Sequence, residues 1–507
     1  MIQPGLQQGD PLPSRERTPR SRRPFTIRGP SETPKASTSH GVARDHQPYF
    51  NDCVAFCRLF SGPDLYAAGL GGQAPPAVNE SPPSEKPPAK PGAIQEKKQR
   101  RALSHVGGEV RVVGGSEQDR ERLTYALSVD PDENATMAHV HGFHPYPARL
   151  HPETASRLVE SFSPSEGRVL DPFCGSGTVL VEARMLGRRA FGVDANPLAV
   201  ALASLKCSGS SPEFADELIT AAAGVVAHAD TRRVQKRGPT RKYGTADREV
   251  YDAHVLLELD GLRDGISRIE DTEVRRALLL VLSAALTKVS KKVGETAPRT
   301  APKRLAGGFT IRFFETKAKD LAKRLLEYSA LVPPSAPEAK CAVGDARDLS
   351  LITPGSLDLI VSSPPYPGVY DYFDHHELRL RWLGMDETAF EANEIGARRR
   401  LSGIGFQAAV QAWEDEFGAC LDAFREALAP QGSIALVIAD SVLGGRALYA
   451  DEAVRDLAIA RGLVLACLGS QERPYFHEPT RAAFRASPRR EHVIILRHPS
   501  RKSFRNR

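Results

Sequence analysis

Residues 357–372 read LDLIVSSPPYPGVYDY. Ser363 offers a hydroxyl and Pro364 a backbone carbonyl, one beside the other, and the Pro364–Pro365 pair fixes φ twice in succession while supplying no N–H. A rigid pair of acceptors suits a primary amine whose lone pair is delocalised into a ring. By taking both N–H hydrogens it biases the nitrogen toward a tetrahedral shape and turns the lone pair into a usable nucleophile, with the cost of ordering met on folding. Tyr366 adds a flat face on which such a ring can stack, and Tyr370, Asp371 and Tyr372 follow at once. No base of special pKa is needed, because the amine proton can leave afterwards. Attack through a cysteine on a ring carbon would want a thiol here, and there is none.

An electrophile needs its own seat, and residues 168–200, RVLDPFCGSGTVLVEARMLGRRAFGVDANPLAV, have the order of one. The apolar pair Val169-Leu170 leads to Asp171-Pro172-Phe173-Cys174, then to the small residues Gly175, Ser176 and Gly177, then to a helical apolar pattern from Thr178. Strand, tight turn and helix follow from that pattern. Glycine lets a ligand approach the backbone, and a helix start has unpaired N–H groups. After the helix, AFGVD gives a second strand ending in Asp194, nineteen positions beyond Gly175. That is close to the offset at which a doubly wound nucleotide site places a carboxylate on ribose hydroxyls. The loop lacks the Lys-Ser/Thr ending of a P-loop, so the expected ligand has a ribose but no triphosphate.

These residues resemble a family. DPFCGSGTVLVEA is similar to the first motif of the S-adenosylmethionine-dependent amino-methyltransferases, and SSPPY to their catalytic motif in the form associated with cytosine-N4 DNA methylases. FHPYPARLHPETASRLVE, at 143–160, resembles the helix that closes over the methionine end of the cofactor. The resemblance covers 139–206 and 341–498. It implies S-adenosyl-L-methionine as cofactor, with His144, Pro145, Asp171, Pro172, Phe173, Cys174, Gly175, Ser176, Gly177, Thr178, Asp194, Asn196, Pro197 and Asp345 around it. It implies catalysis by Ser363, Pro364, Pro365 and Tyr366 on an exocyclic amine of a DNA base swung out of the duplex. Cytosine N4 is favoured over adenine N6 because Ser363 stands where adenine enzymes usually carry Asp or Asn. Related RNA guanine-N2 methyltransferases share the DPFCGSG loop, which keeps RNA as an alternative substrate. A noncatalytic cofactor-binding module in a restriction or defence assembly is a third reading, its partner unknown.

GSIALVIADS (432–441), GLVLACLGS (462–470) and EHVIILRH (491–498) read as further strands, alternating with helices such as AWEDEFGACLDAFREALAP. The expected fold is a Rossmann-like, doubly wound, mostly parallel α/β sheet, with its ligands at the carboxyl ends of the strands. The 507 residues divide into a Pro/Arg-rich, disordered 1–102, a first half of the catalytic domain at 103–206, an insertion at 207–340, a second half at 341–498 and a basic tail at 499–507. The insertion shows one or two helices, at Val255–Leu262 and Leu278–Leu286, then a basic stretch, 288–304, flanked by Phe309, Phe313 and Phe314. Basic residues with interleaved aromatics suit a nucleic-acid backbone.

A net charge of +6 is a mild lean only. Seven scattered cysteines without a C-x-x-C pair argue for reduced thiols and a cytoplasmic setting, and Cys174 reads as a small loop residue rather than a nucleophile. His139, His141, His144 and His151 match no recognised ligand spacing, so no metal is expected. The longest apolar run, ALLLVLSAAL, is too short to cross a bilayer, and the first 25 residues have no secretory core segment.

Overall fold

The computed structural model describes residues 106–131, 133–292, 300–475 and 478–499. The expectations for 1–102, for the middle of the 288–304 stretch and for the tail beyond 499 lie outside the described residues. Among the described residues ten strands are formed: β1 (Arg111–Val113), β2 (Arg168–Asp171), β3 (Arg189–Asp194), β4 (Lys340–Val343), β5 (Leu357–Ser362), β6 (Leu428–Ala439), β7 (Ser441–Leu443), β8 (Arg446–Leu448), β9 (Val464–Glu472) and β10 (Arg490–Arg497). Eight build one sheet in the order β1-β9-β10-β6-β5-β2-β3-β4, while β7 and β8 form a separate hairpin. Strands β4, β3, β2, β5 and β6 are mutually parallel, and β10 runs antiparallel to both β6 and β9. The doubly wound α/β fold expected from the sequence is therefore present. β1 is an addition that the three residues Arg-Val-Val were too few to signal.

The central strands are buried on both faces, which explains why they read as continuous apolar runs: Leu357, Leu359, Ile360 and Val361 of β5 are all at or below 1 % exposure. From β2 the chain moves to β3 on one side, and after β4 it returns to β5 on the other side of β2. The adjacent carboxyl ends of β2 and β5 are thus the switch point of the sheet, where such folds open a crevice.

Helices α1 (Glu117–Leu127), α2 (Glu133–Met137), α3 (Pro152–Phe162), α4 (Thr178–Met185) and α5 (Pro197–Ser208) belong to the first half of the chain. Proline at the first position pre-sets φ for α3 and α5, and Asn196 caps α5 by accepting from Leu198 N at 3.0 Å. Ser116 and Asp119 close a capping box on α1, and Asp119 also pairs with Arg497 of β10 at 2.7 Å.

Among its described residues the insertion holds five helices rather than one or two: α6 (Pro212–Val234), α7 (Thr245–Val250), α8 (Ala253–Ser267), α9 (Thr272–Val289) and α10 (Phe309–Leu331). α9 is buried nearly all round, from Ala277 through Leu286, and packs on α8, α10 and α11 (Tyr372–Leu383). In α10, Ile311, Phe314, Ala318, Leu321 and Leu325 recur at helical spacing and are buried. Phe314 is therefore core and not an aromatic beside a basic loop. Phe309 and Phe313 stack on each other, with centroids 6.1 Å apart. No helix among the described residues is long and apolar enough to cross a membrane.

Candidate active site

Strand β2 ends in Asp171 and β5 in Ser362, and parallel pairing of Val169 with Leu359 and Leu170 with Ile360 brings those ends together. The Ser362 hydroxyl donates to Asp171 Oδ1 at 2.7 Å, and the same oxygen accepts from Phe173 N at 3.1 Å. One carboxylate thereby fixes the start of the glycine loop and ties it to the strand that delivers Ser363. Burial pushes the Asp171 carboxyl up to about 7, against the opposing effect of these two hydrogen bonds.

In the glycine loop, Gly175 and Gly177 take φ of +48° and +86°. A Cβ on Gly177 would stand 2.9 Å from Ala203 of α5, and one on Gly175 would stand 3.4 Å from the ring of Tyr146. The loop is thus a backbone surface at the start of α4, whose first N–H groups have no intrahelical acceptor. Asp194 accepts from Gly175 N with Oδ2 and from Asn196 N with Oδ1, each at 2.8 Å. Burial raises its carboxyl to about 6, while the two amide donors pull the other way. The acid expected to meet a ribose also joins two loops.

Cys174 is buried, and burial pushes its thiol well above the usual range, which fits a small loop residue and not a nucleophile. Pro172 and Thr178 are buried on either side, and Phe173 meets Phe424 edge-on at 6.4 Å. Ser176 Oγ accepts from Lys206 Nζ at 3.0 Å, with Lys206 fully buried and its pKa lowered by that burial. Pro197 opens α5 behind Asn196.

Tyr146 was not singled out in the sequence. It is buried against Gly175, its hydroxyl accepts from Asn196 Nδ2 at 3.3 Å, and its ring stacks on His376 of α11 at 4.6 Å. His144, two residues earlier, is turned into the insertion, with Nε2 3.1 Å from Ser283 Oγ on α9, and Pro145 is exposed. The segment expected near the cofactor does reach the glycine loop, but through Tyr146.

At the second motif, Ser363 Oγ donates to the Tyr366 hydroxyl at 3.4 Å, and that hydroxyl donates to Glu491 Oε1 of β10 at 3.1 Å. Arg473 holds the other Glu491 oxygen with Nη2 at 2.9 Å and Nε at 3.1 Å. Glu491 and Arg473 lie more than a hundred positions downstream, and no spacing rule could link them to Ser363. Pro364 is buried, and Pro365 and Tyr366 are half-buried. Asp371 accepts from Arg399 N at 2.7 Å and from Arg398 Nε at 3.1 Å, Arg399 pairs with Glu394, and Arg400 pairs with Glu416 at 2.6 Å. The three arginines brace the loop after Tyr366. Asp345 lies just past β4, two strands from β2, with its carboxylate held by Arg347 Nη2 at 2.6 Å.

Comparison with known proteins bears out the resemblance in the first half of this site. Residues 81–204 match the N6/N4 family model described as DNA methylase. The chain is 32% identical over 86 residues to the type II methyltransferase M.MjaII of Methanocaldococcus jannaschii (17% of this chain, 16% of that protein). It is 36% identical over 75 residues to the type II methyltransferase M.MvaI of Kocuria varians (14% and 16%). A tRNA (guanine(10)-N2)-dimethyltransferase of Methanothermobacter thermautotrophicus is 39% identical over 79 residues (15% and 23%). The matched stretches span between about a sixth and a quarter of these relatives.

Proposed function

We propose that this chain is an N-methyltransferase that uses S-adenosyl-L-methionine to methylate an exocyclic amine of a DNA base, cytosine N4 in preference to adenine N6. The observation that carries the reading is the Ser362–Asp171 hydrogen bond, which sets a glycine-loop seat and an amine cradle side by side at the switch point of the sheet. The residues present suit the cofactor: a glycine loop opening α4, whose first N–H groups have no intrahelical acceptor, carboxylates at the ends of β3 and β4, and an aromatic wall from Tyr146 against Gly175. When bound, the cofactor supplies a methyl group on a positively charged sulfonium. Asp194, Asn196 and Asp345 face its nucleoside part in this reading, and Gly175 to Thr178 lie along its chain.

The chain's own residues do the rest. The Ser363 proton is directed to Tyr366, and the Tyr366 proton to Glu491, so Ser363 Oγ presents lone pairs and acts as acceptor. Ser363 Oγ and the Pro364 carbonyl take the two amine hydrogens, and the nitrogen lone pair is left aimed at the electrophile. The half-buried Tyr366 ring supports the flipped base. After transfer the surplus proton leaves to water.

RNA is the second reading, favoured by the tRNA-modifying relative. Incubation with labelled cofactor and separate DNA and RNA pools, followed by digestion to nucleosides, separates the two. N4-methyldeoxycytidine is the expected product. N2-methylguanosine from RNA alone replaces the reading by its alternative, and no labelled nucleoside from either pool supports the noncatalytic module.

A further inference from the structure

His139 and His141 lie in a 3-10 turn, His139–Gly142, ahead of α3, and Glu182 lies on α4. Their ligating atoms all fall within 4.8 Å of one another. His141 Nε2 is 2.8 Å from Glu182 Oε1, and the two imidazole centroids are 4.7 Å apart. The site lies at the edge of the interior, with His141 1% and Glu182 4% exposed and His139 half-buried. Nδ1 of His139 and Nδ1 of His141 are buried without a hydrogen-bond partner, as is the hydroxyl of Tyr328, whose ring stacks on His139 at 5.9 Å. Buried polar atoms are nearly always satisfied, and three orphans around one carboxylate point to a missing ion or solvent. His139 also takes φ of +29°, a conformation that side chains seldom adopt. It is held there by Arg324 of α10, which donates to the carbonyls of His139 at 2.6 Å and Met137 at 2.7 Å. A strained residue clamped from outside beside unsatisfied nitrogens has the character of a built site.

We propose that His139, His141 and Glu182 bind one first-row divalent cation, zinc or iron(II), at a centre separate from the methyl-transfer site. Two imidazoles and a carboxylate are a known donor set for both ions and leave a further position for water. Bonds of about 2.0–2.2 Å place donor atoms roughly 3.5 Å apart, so closure asks only for small side-chain rotations from the observed spacing. The ion joins α4, the helix that follows the glycine loop, to the turn before α3. Through Tyr328 and Arg324 it also fastens both to the insertion. Spacing within 139–151 could not reveal this set, because its third member comes from another element.

The test uses the full chain, produced with zinc, iron and manganese present, gel-filtered and assayed by plasma mass spectrometry. Glu182→Gln and His139→Ala are compared with wild type and with His254→Ala, a histidine whose Nε2 meets Leu305 O elsewhere in the insertion. Wild type and His254→Ala should carry about one equivalent of one ion, and the two cluster variants at least about tenfold less. Dialysis of stripped wild type against each ion separately identifies which is taken. Because a variant can lose metal by misfolding, circular dichroism accompanies each, and cobalt(II) added to stripped wild type should give the visible d–d bands of a nitrogen–oxygen site. Metal below about a tenth of an equivalent in wild type by both routes, or equal content in folded Glu182→Gln and wild type, overturns the proposal. The cluster is then a buried His–Glu pair with water.

Discussion

At the scale of single residues, the account rests on making Ser363 an acceptor. Replacing it by alanine removes one of two contacts to the amine and should lower kcat about 10²-fold, with cofactor Kd unchanged by calorimetry. Glu491→Gln keeps the shape but loses the charge that orients the Tyr366 proton, and should cost about tenfold in kcat with little change in KM. Asp171 and Asp194 supply a pH test. Their folded pKa values, about 7 and about 6, lie above the ordinary 3.8 because of burial. A carboxyl raised on folding holds its proton more tightly in the folded state, so its contribution is complete below the unfolded value and is lost as pH rises through the folded one. The unfolding midpoint without cofactor should therefore fall between about pH 4 and 7 from these groups. Asp171→Asn, which can still accept from Ser362 and Phe173, should flatten the upper part of that fall. Asp171→Leu, which cannot accept, should lower the midpoint at every pH.

At the scale of elements, the glycine loop works because its backbone takes conformations and approaches that a side chain forbids. Gly177→Ala places a methyl 2.9 Å from Ala203 at φ +86°, and should destabilise by about 1–3 kcal/mol in urea and weaken cofactor binding. The parallel strands β2, β3, β5 and β6 and the antiparallel β9 and β10 were legible in the sequence because each carries an apolar run, and the loops after β2 and β5 were legible because glycine and proline mark them. Tyr146, Glu491 and Arg473 were not legible. Each reaches the site from an element distant in sequence, and nothing in local periodicity reports a tertiary hydrogen bond. The helices α6 and α10 were passed over for a different reason: their charged faces dilute the apolar repeat, although Phe314, Leu321 and Leu325 hold to it.

At the scale of the whole molecule, the insertion is fastened to α11 and to the segment before α3 through buried polar contacts. Arg379 of α11 donates to Ser283 O and Thr287 Oγ1 of α9, and His144 meets Ser283. The insertion also carries a cavity of about 710 Å³ lined by Arg241, Lys242, Arg248 and Tyr243, with the Arg241 guanidinium 4.8 Å from both the Tyr243 and Trp382 rings. Lys291, from the 288–304 stretch that the composition favoured, adjoins this lining: its N–H donates to Val250 O at 2.8 Å and its Nζ is 3.6 Å from Asp252. If the cavity tracks phosphates, changing Arg241, Lys242 and Arg248 together to alanine should weaken DNA binding and reduce the salt slope by up to about 0.9 per lost contact, with cofactor affinity intact.

In the proposed reaction a hydroxyl and a carbonyl at the end of β5 cradle an amine beside a cofactor seat at the end of β2. Single-turnover transfer from labelled S-adenosylmethionine into duplex DNA, read as N4-methyldeoxycytidine by mass spectrometry for wild type and Ser363→Ala, tests it most directly. Product is expected with wild type and about 10²-fold slower formation with Ser363→Ala, both proteins binding the cofactor equally. Equal rates in the two proteins would contradict it.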